Sequence, residues 1–399
     1  MQQKKHSIDY LLLILVFLLI VFGLIMVYSV SVFSFVSSIK KIEDEMINTY
    51  ALKQVYLVVG GLFIWAVVSN IKYTFWKRFS PILYILGIVL MLLLFTSFGV
   101  SLNGATGWLN FGANIPSIQP IEFVKLSTII YLARWLEPKV DELKNLDTGF
   151  IPFCIITGVV GILIAAQPDF GGFLVLIPTL VVMFFAAGGR LKHLLMMALI
   201  GVLVFMFAAF SFKHVQDRIK DFMDPSIDPS NKNVGWQIQQ SLIAIGSGGF
   251  MGRGINNSIQ KWGYLPEVES DTIFSAIAEE TGFRGSLALI LLFLAIGWRG
   301  MLIAQNAPDK FARYTAIGIT FWIIWQAFVN IAVATKIFPL TGITLPFISM
   351  GGSSLIMNIT ATGILLNISR YTTVEHAYFI NRRRVGRPHI SQYSPPQEA

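Results

Sequence analysis

Apolar residues gather along the chain into runs of about 20, among them residues 10–30, 51–69 and 189–212, each long enough to cross a hydrocarbon layer as a helix. Taken in order, the runs predict ten helices, near 9–30, 52–69, 80–98, 119–136, 149–166, 170–187, 190–212, 271–298, 313–335 and 345–369. The expected fold class is all-α: a polytopic membrane protein of ten transmembrane helices over residues 1–372, followed by a basic polar tail over 373–399. One connection, residues 213–270 between the seventh and eighth helices, is too long for an ordinary link. It holds Trp236, Ile238, Leu242, Ile243, Ile245, Phe250, Trp262 and Tyr264 among glycines and charges. That mixture suits a loop folded onto the membrane surface, with an amphipathic piece near 236–245. The sequence shows no internal repeat, and its only low-complexity stretch is the tail.

Composition removes the soluble alternative, since 55% of the 399 residues are apolar and 13% charged, against roughly 25% charged in ordinary soluble domains. The first run lacks a small-residue cleavage site and leads into further spans, so it is expected to be retained as a helix. A net charge of +8 raises the question of nucleic acid. The basic residues, however, sit beside span ends (Lys72, Lys77, Arg78, Arg190, Lys192, Arg299, Lys310, Arg313) and in the tail (Arg382, Arg383, Arg384, Arg387). That is the pattern of topology signals that also touch anionic lipid, so membrane lipid is an expected partner and nucleic acid is not. The uncharged connection over 99–117 is expected outside, both termini in the cytoplasm, and the long loop on the outer face. The lone Cys154 can form no internal disulfide, which excludes cysteine-rich metal sites and leaves a packing role.

Ionisable side chains inside spans cost on the order of 3 kcal/mol and usually face a cavity or a partner. Here they share a side. Gln119, Glu122 and Lys125 open the fourth helix, and Lys125 lies about 9 Å along it at the rise of a helix. Glu279 and Glu280 lie about 12 Å beyond Asp271 in the eighth. Similar depth predicts an ion pair between Lys125 and Glu279 or Glu280. Asp169, in the turn between the fifth and sixth helices, adds a carboxylate at that level. Taken singly these groups suit helix-to-helix hydrogen bonding, whereas clustered they point to a site. Asp271 starts a helix, where a carboxylate is favoured by the dipole, yet Glu267 and Glu269 crowd it in sequence and oppose its ionisation. The glycine-rich stretch 246–254 would let backbone approach a ligand, with Arg253 and Lys261 as cations for phosphate. It is not a nucleotide P-loop, because no Gly-Lys-Ser/Thr follows a strand. A second stretch, 339–354, is irregular at membrane depth and is expected to wall the same pocket.

Four pieces of sequence, in this order, resemble the SEDS family, the shape, elongation, division and sporulation proteins. They are Gln119-Pro120-Ile121-Glu122-Phe123-Val124-Lys125-Leu126, Gln167-Pro168-Asp169-Phe170-Gly171, the loop from Arg218 through Glu280, and Leu345-Pro346-Phe347-Ile348-Ser349 with Gly351-Gly352-Ser353-Ser354. The stretches 218–225 and 257–267 look more like the division members than the elongation members. The resemblance implies a peptidoglycan glycosyltransferase that polymerises lipid II into glycan strands at the outer face of the cytoplasmic membrane, at the division septum. The implied partners are a class B penicillin-binding protein and other division proteins. The family's essential aspartate, after Leu-Pro-Glu in the long loop, matches Asp271. The chain departs from the family at Glu269, Ser270, Thr272 and Met350, and lacks basic residues where Gly107 and Ser117 stand.

Glycan polymerisation needs an acceptor hydroxyl to lose its proton and a polyprenyl diphosphate to leave. The expected general base is Asp271, and Lys125, Arg253 and Lys261 are the expected cations for the diphosphate. Gln119, Glu122, Asp169, Gln260, Glu267, Glu280 and Ser353 complete the expected substrate-binding set. A divalent cation, magnesium or manganese, could assist departure, though no ligand spacing specifies one. The rival readings are a lipid II flippase, a scaffold of the division machinery, and an elongation-type polymerase. Transporters often show inverted halves, which this chain lacks, its charges lie in one half of the membrane, and its retained Asp271 speaks against a scaffold.

Overall fold

In a computed structural model of the protein, the residues described are 7–38, 47–102, 105–112, 116–211, 216, 220, 222–223 and 234–372. The tail over 373–399 and most of 212–233, including Arg218, lie outside the described residues. Within them the chain forms eleven α-helices. In order these are α1 (Tyr10–Ser38), α2 (Ile47–Asn70), α3 (Tyr73–Leu93), α4 (Pro120–Leu136), α5 (Ile151–Ala166) and α6 (Phe170–Ala186). They continue with α7 (Leu191–Ser211), α8 (Val234–Gly248), α9 (Ile273–Gln305), α10 (Lys310–Ala334) and α11 (Gly352–Ser369). Six described segments are long and apolar enough to cross a membrane: α1, α2, α3, α5 with the turn before it, α9 and α10. The shorter α6 is apolar as well. The chain is thus mostly helical with several candidate membrane spans, and α8 forms within the long connection over its apolar stretch.

The all-α expectation needs one amendment. Residues expected as plain loop form an antiparallel hairpin, β1 (Gly99–Leu102) with β2 (Ala105–Leu109), in which Val100 pairs with Trp108 and Gly99 with Leu109. β-branched and aromatic residues alternate here with small ones, and cross-strand pairs of this kind stabilise a sheet. The third helix also begins earlier than its apolar run, at Tyr73, because Lys77 and Arg78 lie on its first turns rather than in a loop. The last helix starts later than its run, at Gly352, because Pro346 and the turns around it keep residues 339–351 irregular.

Two prolines inside helices each remove the N–H that would bond the carbonyl four residues back. Both freed carbonyls are taken by side chains from neighbouring helices. Pro81 frees Lys77 O, which accepts from Arg134 Nη1 at 3.0 Å, and Pro178 frees Leu174 O, which accepts from Trp325 Nε1 at 2.7 Å. The backbone is satisfied where lipid would not satisfy it, and α3 is tied to α4 and α6 to α10 in the process.

The core gathers around α10, 72% of whose apolar window is buried against 17% for α3. This helix packs on α4, α6, α9 and α11. Helix α9 breaks at Gly282, whose φ is +70. The glycine-rich loop docks in the break: Arg253 N donates to Glu279 O and Gly254 N to Glu280 O, while Phe283 N donates to Gly249 O and Arg284 N to Phe250 O. The break and the loop satisfy each other's backbone groups.

Candidate active site

A small cleft of about 30 Å³ opens between the starts of α4 and α6 and the strap over 339–351. Pro120 occupies the first turn of α4, where its missing N–H costs nothing, and the backbone N–H of the preceding Gln119 donates to Ser353 Oγ at 3.1 Å. One turn on, Lys125 Nζ lies 2.8 Å from Glu122 Oε1, 2.8 Å from Gln326 Oε1 and 5.1 Å from the centre of the Trp322 ring. The expected pairing of Lys125 with Glu279 or Glu280 is therefore corrected. Glu122, three residues away on the same face, reaches Lys125 first, and α10 supplies the rest of its surroundings. Both charges are buried, and among the described residues Glu122 Oε2 has no hydrogen-bond partner. Asp169 also lines the cleft and caps α6, accepting from Gly172 N at 2.8 Å.

Asp271 sits at the rim. It precedes α9 and lies against Gly342, where an added Cβ would come 3.4 Å from Asp271 Oδ2. Gly342 (φ +69) is itself a wall of the cleft. Asn330 Nδ2 donates to Asp271 O at 2.9 Å and to Ile343 O at 2.6 Å, which ties the rim to the wall. Of the crowding carboxylates, Glu267 accepts from Ser270 Oγ at 3.1 Å, and burial pushes the Glu269 carboxyl up from its ordinary value, with the Glu267 charge adding to the rise.

The remaining expected residues form a second cluster. Lys261 is wholly buried and donates to Glu280 Oε1 (3.2 Å), Asn256 Oδ1 (2.7 Å), Ser29 O (3.1 Å) and Ser29 Oγ (3.2 Å). Glu279 accepts from Ser258 Oγ and from the N–H groups of Ile259 and Gln260, and its Oε1 lies 3.6 Å from Nε of Arg253, whose side chain is 38% exposed. Lys261 and Glu280 thus hold the loop to α1 and do not line the cleft. The glycines at 252 and 282 admit backbone to backbone instead of backbone to ligand. Among the described residues no group of three or more His, Cys, Asp or Glu side chains could hold a metal ion.

The sequence reading missed Trp322, Gln326 and Asn330. A signal was present: Gln326 and Asn330 stand four apart on one face of an otherwise apolar span, where polar groups are costly without partners.

Residues 9–374 match the family of FtsW, RodA and SpoVE, described as cell cycle protein. The chain is 40% identical over 373 residues to stage V sporulation protein E of Bacillus subtilis, covering 93% of this chain and all of that one. It is 38% identical over 364 residues to a probable peptidoglycan glycosyltransferase FtsW of Trichlorobacter lovleyi, covering 90% and 93%. Its fold resembles a solved chain from work on the structural coordination of polymerization and crosslinking by a peptidoglycan synthase complex (TM-score 0.72, 24% identity, covering 92% and 99%). It also resembles the rod shape determining protein RodA of Thermus thermophilus (TM-score 0.65, 24% identity, the same coverage). Those two likenesses bear on the fold, and the family match over residues 9–374 with the relative at 40% identity decides the family: the chain belongs to the FtsW/RodA/SpoVE family of cell cycle proteins.

Proposed function

We propose that this protein is a peptidoglycan glycosyltransferase that polymerises lipid II at the outer face of the cytoplasmic membrane during cell division, with ten membrane crossings and both termini in the cytoplasm. The observation that carries the reading is the placement of the Asp271 carboxylate against Gly342, a residue that walls a cleft lined also by Lys125 and Glu122. The Asp271 carboxylate takes the proton of the acceptor hydroxyl as its oxygen bonds to the anomeric carbon of the donor. The bond from that carbon to the diphosphate breaks, and undecaprenyl diphosphate leaves with the electron pair. Lys125, in the cleft wall, supplies positive charge as the diphosphate departs. Lys261, committed to Glu280, holds the loop. A class B penicillin-binding protein is the transpeptidase partner, in keeping with the coupling of polymerization and crosslinking in the synthase complex whose fold this chain shares.

The test is lipid II polymerisation by the purified protein with its cognate transpeptidase, comparing wild type with Asp271→Asn. Glycan strands from wild type and a loss of about 100-fold or more in a folded variant are expected, the scale of removing a general base. Translocation of lipid II in liposomes with no polymer from wild type would move the assignment to a transporter. The identity to a sporulation protein favours a second reading of timing, with the same chemistry. Depletion that blocks septation supports division, and depletion that spares growth but abolishes heat-resistant spores supports sporulation.

A further inference from the structure

The segment that carries Asp271 is held from outside itself, one carbonyl at a time. Met350 N donates to Glu269 O at 2.8 Å, Ser349 Oγ to Ser270 O at 2.6 Å, and Asn330 Nδ2 to Asp271 O at 2.9 Å. Met350 and Ser349 belong to the strap that walls the cleft, whereas Asn330 belongs to α10. Asn330 is 1% exposed, and its amide also donates to Ile343 O in that strap at 2.6 Å. One side chain therefore joins the Asp271 backbone, the cleft wall and α10, the most buried of the six candidate membrane spans.

The same face of α10 reaches the other charged end of the site. Gln326, one turn before Asn330, accepts from Lys125 and donates to Thr344 O at 3.0 Å. Residues four apart on a helix rise by about 6 Å along one face. Through them Lys125 and the Asp271 backbone are both referred to the one rigid element. Elsewhere in the molecule a buried amide does a similar mechanical task without a site nearby: Asn367 donates to Ser69 O at 2.9 Å and accepts from Tyr73 N at 2.7 Å, at the opposite end of the bundle.

We infer that Asn330 is a positioning residue for the glycosyl transfer, setting where the Asp271 carboxylate stands relative to the cleft that holds Lys125. This rests on the reading of Asp271 as general base. It separates two effects that a purely structural amide would not separate. Lipid II binding is left to the cleft walls, while the chemical step depends on the placement of the carboxylate, and displacement of a reacting group by about 1 Å can cost on the order of 100-fold in rate.

The experiment measures kcat and KM for lipid II with the purified full-length protein and its transpeptidase, normalised to folded protein by thermal unfolding. It compares wild type, Asn330→Ala, Asn367→Ala and Asp271→Asn. Asn330→Ala is expected to lower kcat by about 10- to 100-fold with KM little changed, whereas Asn367→Ala leaves kcat per folded molecule at the wild-type level. Wild-type kcat in folded Asn330→Ala, or a loss no greater than that of Asn367→Ala, overturns the inference while an inactive Asp271→Asn leaves the general base in place. Activity retained in Asp271→Asn overturns both. Should Asn330→Ala not fold, the isosteric Asn330→Asp and the separate clamp variant Ser349→Ala are judged by the same criteria: reduced kcat at unchanged KM in the folded variants supports the inference, and unchanged kcat sinks it.

Discussion

Lys261 is among the largest fully buried side chains in the protein, and its ammonium group is bonded to Glu280, Asn256 and Ser29. A buried pair adds little net stability over a well-packed apolar pair, but removing one partner strands the other charge at a cost of about 3–5 kcal/mol. Lys261→Met should therefore lower unfolding free energy by that order, and adding Glu280→Gln should restore a good part of it. Equal losses in the single and double variants, followed by denaturant unfolding in detergent, would rule out the coupling. The residue scale also shows where depth along a helix stops being informative. Sequence placed Lys125, Glu279 and Glu280 at one level and so expected them to pair. Which charge meets which depends on the direction of each Cα–Cβ bond, so Lys125 turns to Glu122 and Gln326, and Glu280 turns to Lys261.

Among the elements, α9 and the loop before it form a splice. The break at Gly282 would expose backbone groups of Glu279, Glu280, Phe283 and Arg284, and the loop over 249–254 supplies the four partners. Close approach makes glycine necessary at two points, since a Cβ on Gly252 (φ +80) would stand 2.3 Å from Glu280 O and one on Gly282 (φ +70) 2.3 Å from Gly252 N. Gly252→Ala is expected to cost at least about 1–3 kcal/mol, the scale of a strained backbone residue, and to speed amide hydrogen exchange at Arg253 and Gly254. Unchanged protection at both amides would show that the loop does not depend on this contact. The richness in glycine was legible in the sequence. Its purpose was not, because glycine marks a close approach without naming what approaches.

Across the whole molecule, α10 sets the distances. Gly318 lies where α10 meets α4 and α6, and a Cβ there would come 2.5 Å from Met183 Sδ and 2.7 Å from Ile129 Cγ2. Overpacking a filled core costs about 1–3 kcal/mol. Gly318→Leu should thus lower the unfolding temperature and, because α4 and α6 carry Glu122, Lys125 and Asp169, weaken lipid II turnover as well. A stable variant with normal turnover would mean that this junction does not hold the cleft. The sequence by itself determined that the chain is a helical membrane protein, since runs of apolar residues leave few other ways to satisfy the backbone in lipid. It also determined the family, through its motifs, and the shared end of the bundle on which Gln119, Glu122, Lys125, Asp169 and Asp271 gather. Only the tertiary structure decided that these polar residues form two clusters instead of one, that a hairpin replaces a plain loop, and that Gln326 and Asn330 join the cleft to the Asp271 segment. The physical reason is that hydrophobic periodicity and helix rise act along one element, whereas ion-pair choice and carbonyl clamping depend on how separate elements face one another.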